Sequence, residues 1–371
     1  MTAAIHLSGM STGECSLRLE QRDGEWILAG AGADRFGLVN EYLSYLADRS
    51  YSPRTVRSYG FDLLAFCRWL AAEGIELAAV STDVMLRFLA FCRQATVAGR
   101  PGRNVVTLGG RRLDQFAATT VNHRLAAISG MFAFRAMRDP AAVSPVPKGR
   151  EASRRAAGER NGLLAHVARR PRSRSALRLR ESRRLPVALS RQEAAELLGS
   201  FATWRDRAIA GLMLYCGLRS GEVLALDVTD VDVGGRWLQV TGKGNRERRV
   251  PLDADVASVI QVYLLAERSE TASTRLFIVA KGPSRGQPLT AAGLRTVFRY
   301  HRQVTGVAAG HPHALRHTFG TALAEAGVDL AVMQALLGHA HVDTTARYIH
   351  LAPAHVKAEF DAARDRIRAR G

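Results

Sequence analysis

The chain has 371 residues, 47% of them hydrophobic, and 52 Lys and Arg against 34 Asp and Glu give a formal net charge of +18. That length supports two domains with real cores, and a charge of that sign favours a polyanionic partner, nucleic acid before membrane. The four cysteines, Cys15, Cys67, Cys92 and Cys216, form no C-x-x-C pair, which argues against a zinc knuckle or disulfide framework and fits a reducing, cytoplasmic setting.

Residues 1–33 read as an N-terminal extension. It holds a small hairpin, SLRLEQRDGEWILAG, in which alternating residues flank an Asp-Gly turn. No basic segment followed by an apolar one opens the chain, so no leader peptide is expected. From 34 to 140 the period turns helical. LVNEYLSYLADR sets Leu38, Tyr42, Tyr45 and Leu46 on one face, and SPRTVRSYGFDLLAFCRWLAAEG opens on Ser-Pro and ends at Gly74. STDVMLRFLAFCR and TTVNHRLAAISGMFAFRAM each open on Ser or Thr, separated by a polar, Gly-rich excursion from Gln94 to Gln115. A compact four-helix module with basic exposed faces is expected.

Residues 141–186 differ in character, with Lys148 and twelve arginines against Glu151, Glu159 and Glu181 and few large apolar groups. They read as a solvated interdomain linker that doubles as a polybasic strap along phosphates. A second domain, 187–352, opens with ALSRQEAAELLGSF, where Ser190 and Glu193 stand at capping-box spacing. WRDRAIAGLMLYCGLRSGEVLAL continues as a buried helix broken at Gly217; its apolar run is far short of the roughly 20 residues that span a membrane. RWLQVTGKGNRERRVPL alternates on both sides of Gly242–Asn245, a hairpin with Lys243 in or beside its turn. The rest is mainly helical. A tail, 353–371, places Val356, Phe360, Ala363 and Ile367 at helical spacing, suited to docking on a neighbouring copy or packing in cis.

Arg219 lies at a helix end between Gly217 and Gly221, with Glu222 three residues on to orient it. HPHALRHTFGTALAEAG is expected to start a helix near His313 and bury Leu315, Phe319, Leu323 and Ala326. His313 and Arg316 then share one face of its first turn, where free backbone N–H groups favour a phosphate. His313 and His317 also have the i, i+4 spacing of a zinc pair, but no Glu follows the first His, no Cys is near, and the intervening Arg opposes a cation. DLAVMQALLGHAHVDTTARYIH gives a helix through Leu330, Met333 and Leu337 that ends at Gly338, then His339, then a helix capped by Asp343 that carries Tyr348.

The order Arg, Lys in a hairpin, His-x-x-Arg, His, Tyr resembles the tyrosine recombinase family, the phage-integrase and Xer-like enzymes. YCGLRSGEVLAL, VTGKGNRERRVPL, HPHALRHTFGTAL and LLGHAHVDTTARYIH carry the likeness, strongly over 187–353 and more loosely over 34–140; Gly221 departs from a position where the family commonly has Ser. The resemblance implies a mainly α chain with a small antiparallel β-sheet. A helical core-binding (SAM-like) domain and a mixed α/β catalytic domain would form a C-shaped clamp on double-stranded DNA. It implies Arg219, Lys243, His313, Arg316, His339 and Tyr348 as catalytic residues, with Tyr348 the nucleophile, Lys243 the general acid, His313 the proton acceptor and His339 a phosphate ligand. His317 is expected as a structural neighbour. It further implies no cofactor and no metal, a tetrameric synapse on DNA, accessory DNA-bending proteins as optional partners, and action in the bacterial cytoplasm on the nucleoid. Integration or excision of a mobile element is the expected role. The alternatives are a Xer-like chromosome or plasmid dimer resolvase, a DNA-binding protein without catalysis, and a metal-dependent hydrolase.

Overall fold

A computed structural model describes residues 16–95, 115–147, 176–181, 187–242 and 247–338, together with Thr345 and Tyr348. The chain divides into two compact units, Met1–Ser182 and Arg183–Gly371. Among the described residues no helix is long and apolar enough to cross a membrane, and Cys67, Cys92 and Cys216 are buried.

The first unit opens with the hairpin read from sequence. Strands β1 (Arg18–Arg22) and β2 (Glu25–Ala29) pair antiparallel with Arg22 opposite Glu25. Asp23 and Gly24 take φ of +50° and +85°, the left-handed pair that matches the twist of a tight hairpin. Four helices follow: α1 (Gly37–Asp48), α2 (Pro53–Ala72), α3 (Thr82–Gln94) and α4 (Ala118–Arg138). Ser52 and Ser81 cap α2 and α3 by accepting from Thr55 N and Val84 N. Helix α4 instead starts after Ala117 without a side-chain cap, and Thr119 and Thr120 fall inside its first turn. On α1 the buried stripe is Val39, Tyr42, Leu43 and Leu46, while Leu38 and Tyr45 pack only partly. The true stripe is rotated by a residue because the hairpin covers a flank of α1 that sequence periodicity alone leaves open.

The hairpin is not an appendage. Leu17 and Leu28 enter the same core as Phe66, Trp69 and Phe88, and Arg68 donates to Leu17 O at 3.0 Å from Nε. Asn40 clamps Leu28 from both sides, accepting from its N–H at 2.7 Å and donating to its C=O at 3.1 Å. The two described ends of the stretch read as a linker also join this unit. Val146 and Leu177 are in its core, Thr82 Oγ1 donates to Pro145 O, and Asn122 brackets the Leu179 backbone at 2.8 and 3.0 Å. Apolar residues at both ends of a basic run found a core to enter, so the stretch free to act as a strap is shorter than 141–186. Most of the basic run between Lys148 and Arg184 lies outside the described residues.

The second unit begins with α5 (Arg191–Ser200), whose capping box is complete: Ser190 N meets Glu193 Oε2 at 2.8 Å and Glu193 N meets Ser190 Oγ at 3.2 Å. Helix α6 (Trp204–Leu214) is buried on nearly every side, as its run of Ala, Ile, Gly, Leu and Met requires. Helix α7 (Ser220–Ala225) leads to a three-stranded antiparallel sheet, β3 (Val231–Asp232), β4 (Trp237–Thr241) and β5 (Glu247–Pro251), in that order. Thr241 pairs with Glu247, so Lys243 belongs to the connection between β4 and β5, outside the described residues. Helices α8 (Ala254–Val262), α9 (Ala291–Thr305), α10 (Pro312–Glu325) and α11 (Leu330–Leu337) complete the unit. The architecture is mainly helical with small antiparallel sheets, as the sequence leads one to expect.

Helix α10 departs from its expected stripe. Ala314, Leu315, Arg316, Gly320 and Ala324 are buried, Phe319 and Leu323 pack partly, and Ala326 is the C-cap. Its face turns towards Arg316 because Gly217 admits α10 closely: Gly217 has φ +67°, and a Cβ there would stand 2.4 Å from Phe319 Cδ1. The tail 353–371 and the cap Asp343 lie outside the described residues.

Replacing Asn40 with Ala strands both polar groups of a buried β2 residue, a loss of about 1–3 kcal/mol per unsatisfied group. Chemical denaturation of Asn40→Ala should show lowered stability. An unchanged midpoint would mean that the hairpin does not contribute to the fold of the first unit.

Candidate active site

The site is built on the break between α6 and α7. Gly217, in the left-handed conformation, turns the chain so that Leu218 N reaches Leu212 O at 3.1 Å and Arg219 becomes the N-cap of α7. Arg219 N donates to Glu222 Oε2 at 2.8 Å and its Nη1 donates to Oε1 at 2.7 Å. Glu222 is thus fixed by the residue it orients. The carboxylate is 6% exposed.

Two more guanidiniums surround that carboxylate. Arg248 on β5 grips it with both prongs, Nη1 to Oε1 at 3.0 Å and Nη2 to Oε2 at 2.9 Å. Arg316 on α10 brings Nη1 within 3.8 Å of Oε2. Burial alone would push the Glu222 carboxyl up. The Arg248 hydrogen bond, the Arg219 N–H and the Arg248 charge outweigh it and hold the group below the usual carboxylate range.

The same three arginines cap one helix end. Arg248 Nε donates to Leu336 O at 3.3 Å, Arg316 Nη2 donates to Leu337 O, and Arg219 Nη2 donates to Gly338 O at 3.1 Å. Three successive carbonyls at the negative end of α11 each receive a cation. Arg316 Nη1 also donates to Gly217 O. Burial, and next the charge of Arg219, lowers the Arg316 guanidinium to about 10, so it stays charged at neutral pH. A cation held at that disadvantage favours the arrival of an anion. The side chain of Arg219 is 35% exposed and that of Arg316 6%, so Arg219 is the accessible member.

Tyr348 lies in a small apolar cluster with Ala324, Met333 and Leu337 and is 2% exposed. Its ring rests on Gly320, where a Cβ would stand 2.6 Å from Cζ. Its Oη is 2.9 Å from Nδ1 of His317. Sequence reasoning gave His317 a bystander's place and His313 the proton; the described arrangement sets His317 against the phenol. One turn of helix separates the two histidines, and the side of α10 that faces Tyr348 carries the later one. His313 is exposed in the first turn of α10. His311, not His313, caps that helix, accepting from Ala314 N at its Nδ1 at 3.0 Å. Burial, then the charges of Arg302 and His313, lower the pKa of His311.

The structure therefore gathers Arg219, Arg316 and Tyr348 around one wall, with His313 on the adjoining helix turn. Lys243 and His339 lie outside the described residues; each is joined in sequence to a piece of this wall, β4 and Gly338 respectively. Arg248 was missed. Its signal was present in the alternation of RERRVPL, where Arg248 falls on the face opposite Glu247 and Arg249, but nothing local says that a strand arginine will meet a carboxylate 26 residues earlier. Among the described residues no group of three or more His, Cys, Asp or Glu is placed to hold a metal ion.

The profile of the Phage integrase family matches residues 188–355, and that of its N-terminal SAM-like domain matches residues 39–139. Tyrosine recombinase XerC of Mycobacterium tuberculosis is 31% identical over 328 residues, 88% of this chain and 97% of the relative. XerC of a Roseiflexus species is 28% identical over 327 residues, 84% and 88% of the two chains. Among solved structures, XerH recombinase bound to a palindromic difH substrate gives a TM-score of 0.58 at 21% identity, covering 89% of this chain and 88% of that one. The Tn1549 transposon integrase in complex with transposon right end DNA gives 0.60 at 16%, covering 86% and 98%. These two likenesses speak to the fold.

Because Glu222 titrates below the ordinary range when folded, its contribution to stability is complete above the unfolded value near 4.5 and disappears as pH falls through the folded one. Glu222→Gln leaves three guanidiniums around a neutral amide, and breaking a buried pair in this way costs about 3–5 kcal/mol. Thermal unfolding from pH 7 to pH 3 should show a lower Tm for Glu222→Gln at pH 7 and a shallower loss on acidification. Parallel curves for the two proteins would refute the ion-pair account.

Proposed function

Since the chain belongs to the tyrosine recombinase, or phage integrase, family and is a site-specific recombinase, we propose that Tyr348 cleaves duplex DNA through a 3′-phosphotyrosyl intermediate held by Arg219 and Arg316. The observation that carries this reading is the convergence of two guanidiniums and one phenol on the wall formed by α7, α10 and the end of α11.

A phosphodiester resists attack because its non-bridging oxygens are anionic and gain charge as the five-coordinate state forms. Planar guanidiniums fit those oxygens and stabilise that charge where it develops. The Tyr348 oxygen forms a bond to phosphorus as the bond from phosphorus to the 5′-oxygen breaks. The phenolic proton passes to a histidine: His317 faces the hydroxyl in the described state, and His313 is the acceptor expected from the motif. The departing 5′-oxygen takes a proton from Lys243, and His339 hydrogen-bonds the phosphate. A 5′-hydroxyl of another strand then attacks the phosphotyrosyl ester, which conserves the bond energy and needs no nucleotide. A tyrosine 2% exposed must be uncovered before it meets DNA, so the Tyr348 side chain would leave its apolar cluster when DNA binds.

Both units would close on the duplex with four protomers in a synapse, assisted in some settings by DNA-bending proteins, in the bacterial cytoplasm. The basic run between Lys148 and Arg184 would lie along phosphates. Insertion or excision of a mobile element is the role this extra charge favours. The likeness to XerC proteins favours dimer resolution as the second reading, and sequencing the DNA trapped on the protein in cells separates element ends from a single replicon site.

A nicked suicide duplex incubated with the protein in EDTA should yield a covalent protein–DNA adduct, Tyr348→Phe should yield none, and Arg316→Lys should slow adduct formation by about 10²- to 10³-fold. A strict need for divalent metal without any adduct would overturn the assignment and restore the hydrolase alternative. In a separate titration, replacing six arginines between 150 and 174 with Gln should flatten the salt dependence of DNA binding, each lost phosphate contact changing the slope by about 0.9. An unchanged slope sinks the strap.

A further inference from the structure

Arg248 has a side chain only 15% exposed, and its fork is committed inward, to both oxygens of Glu222 and to Leu336 O. A lysine could not make these three bonds at once, because only a planar guanidinium presents two parallel donors and a third at its stem. The plane of the guanidinium also lies against the end of α11. Gly338 has φ +58°, and a Cβ there would stand 2.9 Å from Arg248 Cζ. Gly338 therefore both ends the helix and leaves room for Arg248.

The charge count gives this placement its meaning. Around the buried carboxylate stand Arg219, Arg248 and Arg316, so the cluster carries two positive charges in excess. Without Arg248 the carboxylate would draw its compensation from Arg219 and Arg316 alone, and a phosphate would meet one net charge in place of two. Arg248 is also the point where three parts of the site are joined. Its strand, β5, is the partner of the strand leading to Lys243; its carboxylate partner orients Arg219; its carbonyl partner lies three residues before His339.

We infer that Arg248 is a positioning residue of the recombination site. It neutralises Glu222, leaving Arg219 and Arg316 their full charge for the scissile phosphate, and it ties β5 to the end of α11. This rests on the recombinase reading above, and the controls keep the two apart.

The experiment is single-turnover cleavage of the nicked duplex on which the wild-type protein forms its adduct, compared with the same duplex carrying a methylphosphonate at the scissile position, which removes one anionic oxygen. Arg248→Gln should cleave the phosphodiester on the order of 10- to 100-fold more slowly than wild type. Its affinity for the intact duplex should stay within about threefold, since phosphate contacts elsewhere dominate binding. The deficit should shrink on the methylphosphonate, where less positive charge is needed. Arg248→Lys should recover part of the rate, and the double variant Arg248→Gln/Glu222→Gln should cleave faster than Arg248→Gln alone because no carboxylate then draws on the charge of Arg219 and Arg316. The double variant removes the buried carboxylate and Arg248→Lys keeps a cation beside it, so they decide the matter if Arg248→Gln alone fails to fold. Wild-type rates for Arg248→Gln, equal deficits on both duplexes, or a double variant no faster than the single would overturn the inference. Absence of an adduct with wild type would instead overturn the recombinase reading.

Discussion

One buried carboxylate organises the second unit's functional wall. Glu222 is 6% exposed, and a carboxylate taken so far from water is tolerable only when its charge and lone pairs are met. Arg219, Arg248 and Arg316 meet them from three elements that are far apart in sequence. The demand works in both directions. The carboxylate needs cations, and three guanidiniums crowded into one place need an anion to keep them from driving one another apart; Arg316, pulled down to about 10 by burial and by Arg219, records that tension.

The carbonyl groups at the end of α11 supply the remaining acceptors. Helix ends leave carbonyls without intrahelical partners, and here Leu336 O, Leu337 O and Gly338 O are each taken by a different arginine. The helix end is held by Arg219 and Arg316, the side chains proposed to meet the scissile phosphate, together with Arg248, so its position is coupled to theirs. Close approach makes this geometry attainable. Gly217 lets Phe319 of α10 lie against the α6–α7 break, Gly320 lets the Tyr348 ring lie on α10, and Gly338 lets Arg248 lie on the end of α11. Each is a contact that a single methyl group would obstruct.

This explains which features could be read from the chain. The N-terminal hairpin was legible because an Asp-Gly turn between alternating residues is a local signal, and Asp23 and Gly24 adopt the expected left-handed pair. Ser52, Ser81 and Ser190 act as caps, again a local matter. Arg219 and Glu222 were readable as a pair at i, i+3. What escaped notice depended on tertiary approach. The hairpin's place in the core, the burial of Val146 and Leu177, and the rotation of the stripe on α1 all follow from which surface a neighbour covers. Arg248 and His317 escaped for the same reason: each acquires its partner across the fold, and no spacing along β5 or α10 states which carboxylate or which phenol will arrive.

The contrast between Arg219 and Arg316 bears on how such a wall would receive a phosphate. Among the described residues Arg219 commits Nη1 to Glu222 and Nη2 to Gly338 O, out of the five donors a guanidinium carries, and it remains a third exposed. Arg316 is held deeper by Gly217 O and Leu337 O. An anion arriving from solvent therefore meets Arg219 first, and reaching Arg316 means competing with a backbone carbonyl. A carbonyl is a neutral acceptor and an anionic oxygen forms the stronger, charge-assisted bond, so the exchange runs towards the phosphate once its water is removed. Such an exchange would free Leu337 O at the end of α11, beside the cluster that buries Tyr348, since Leu337 contributes to both. If Arg316 binds the phosphate as proposed, its capture and the uncovering of the tyrosine would be linked through one residue of one helix turn.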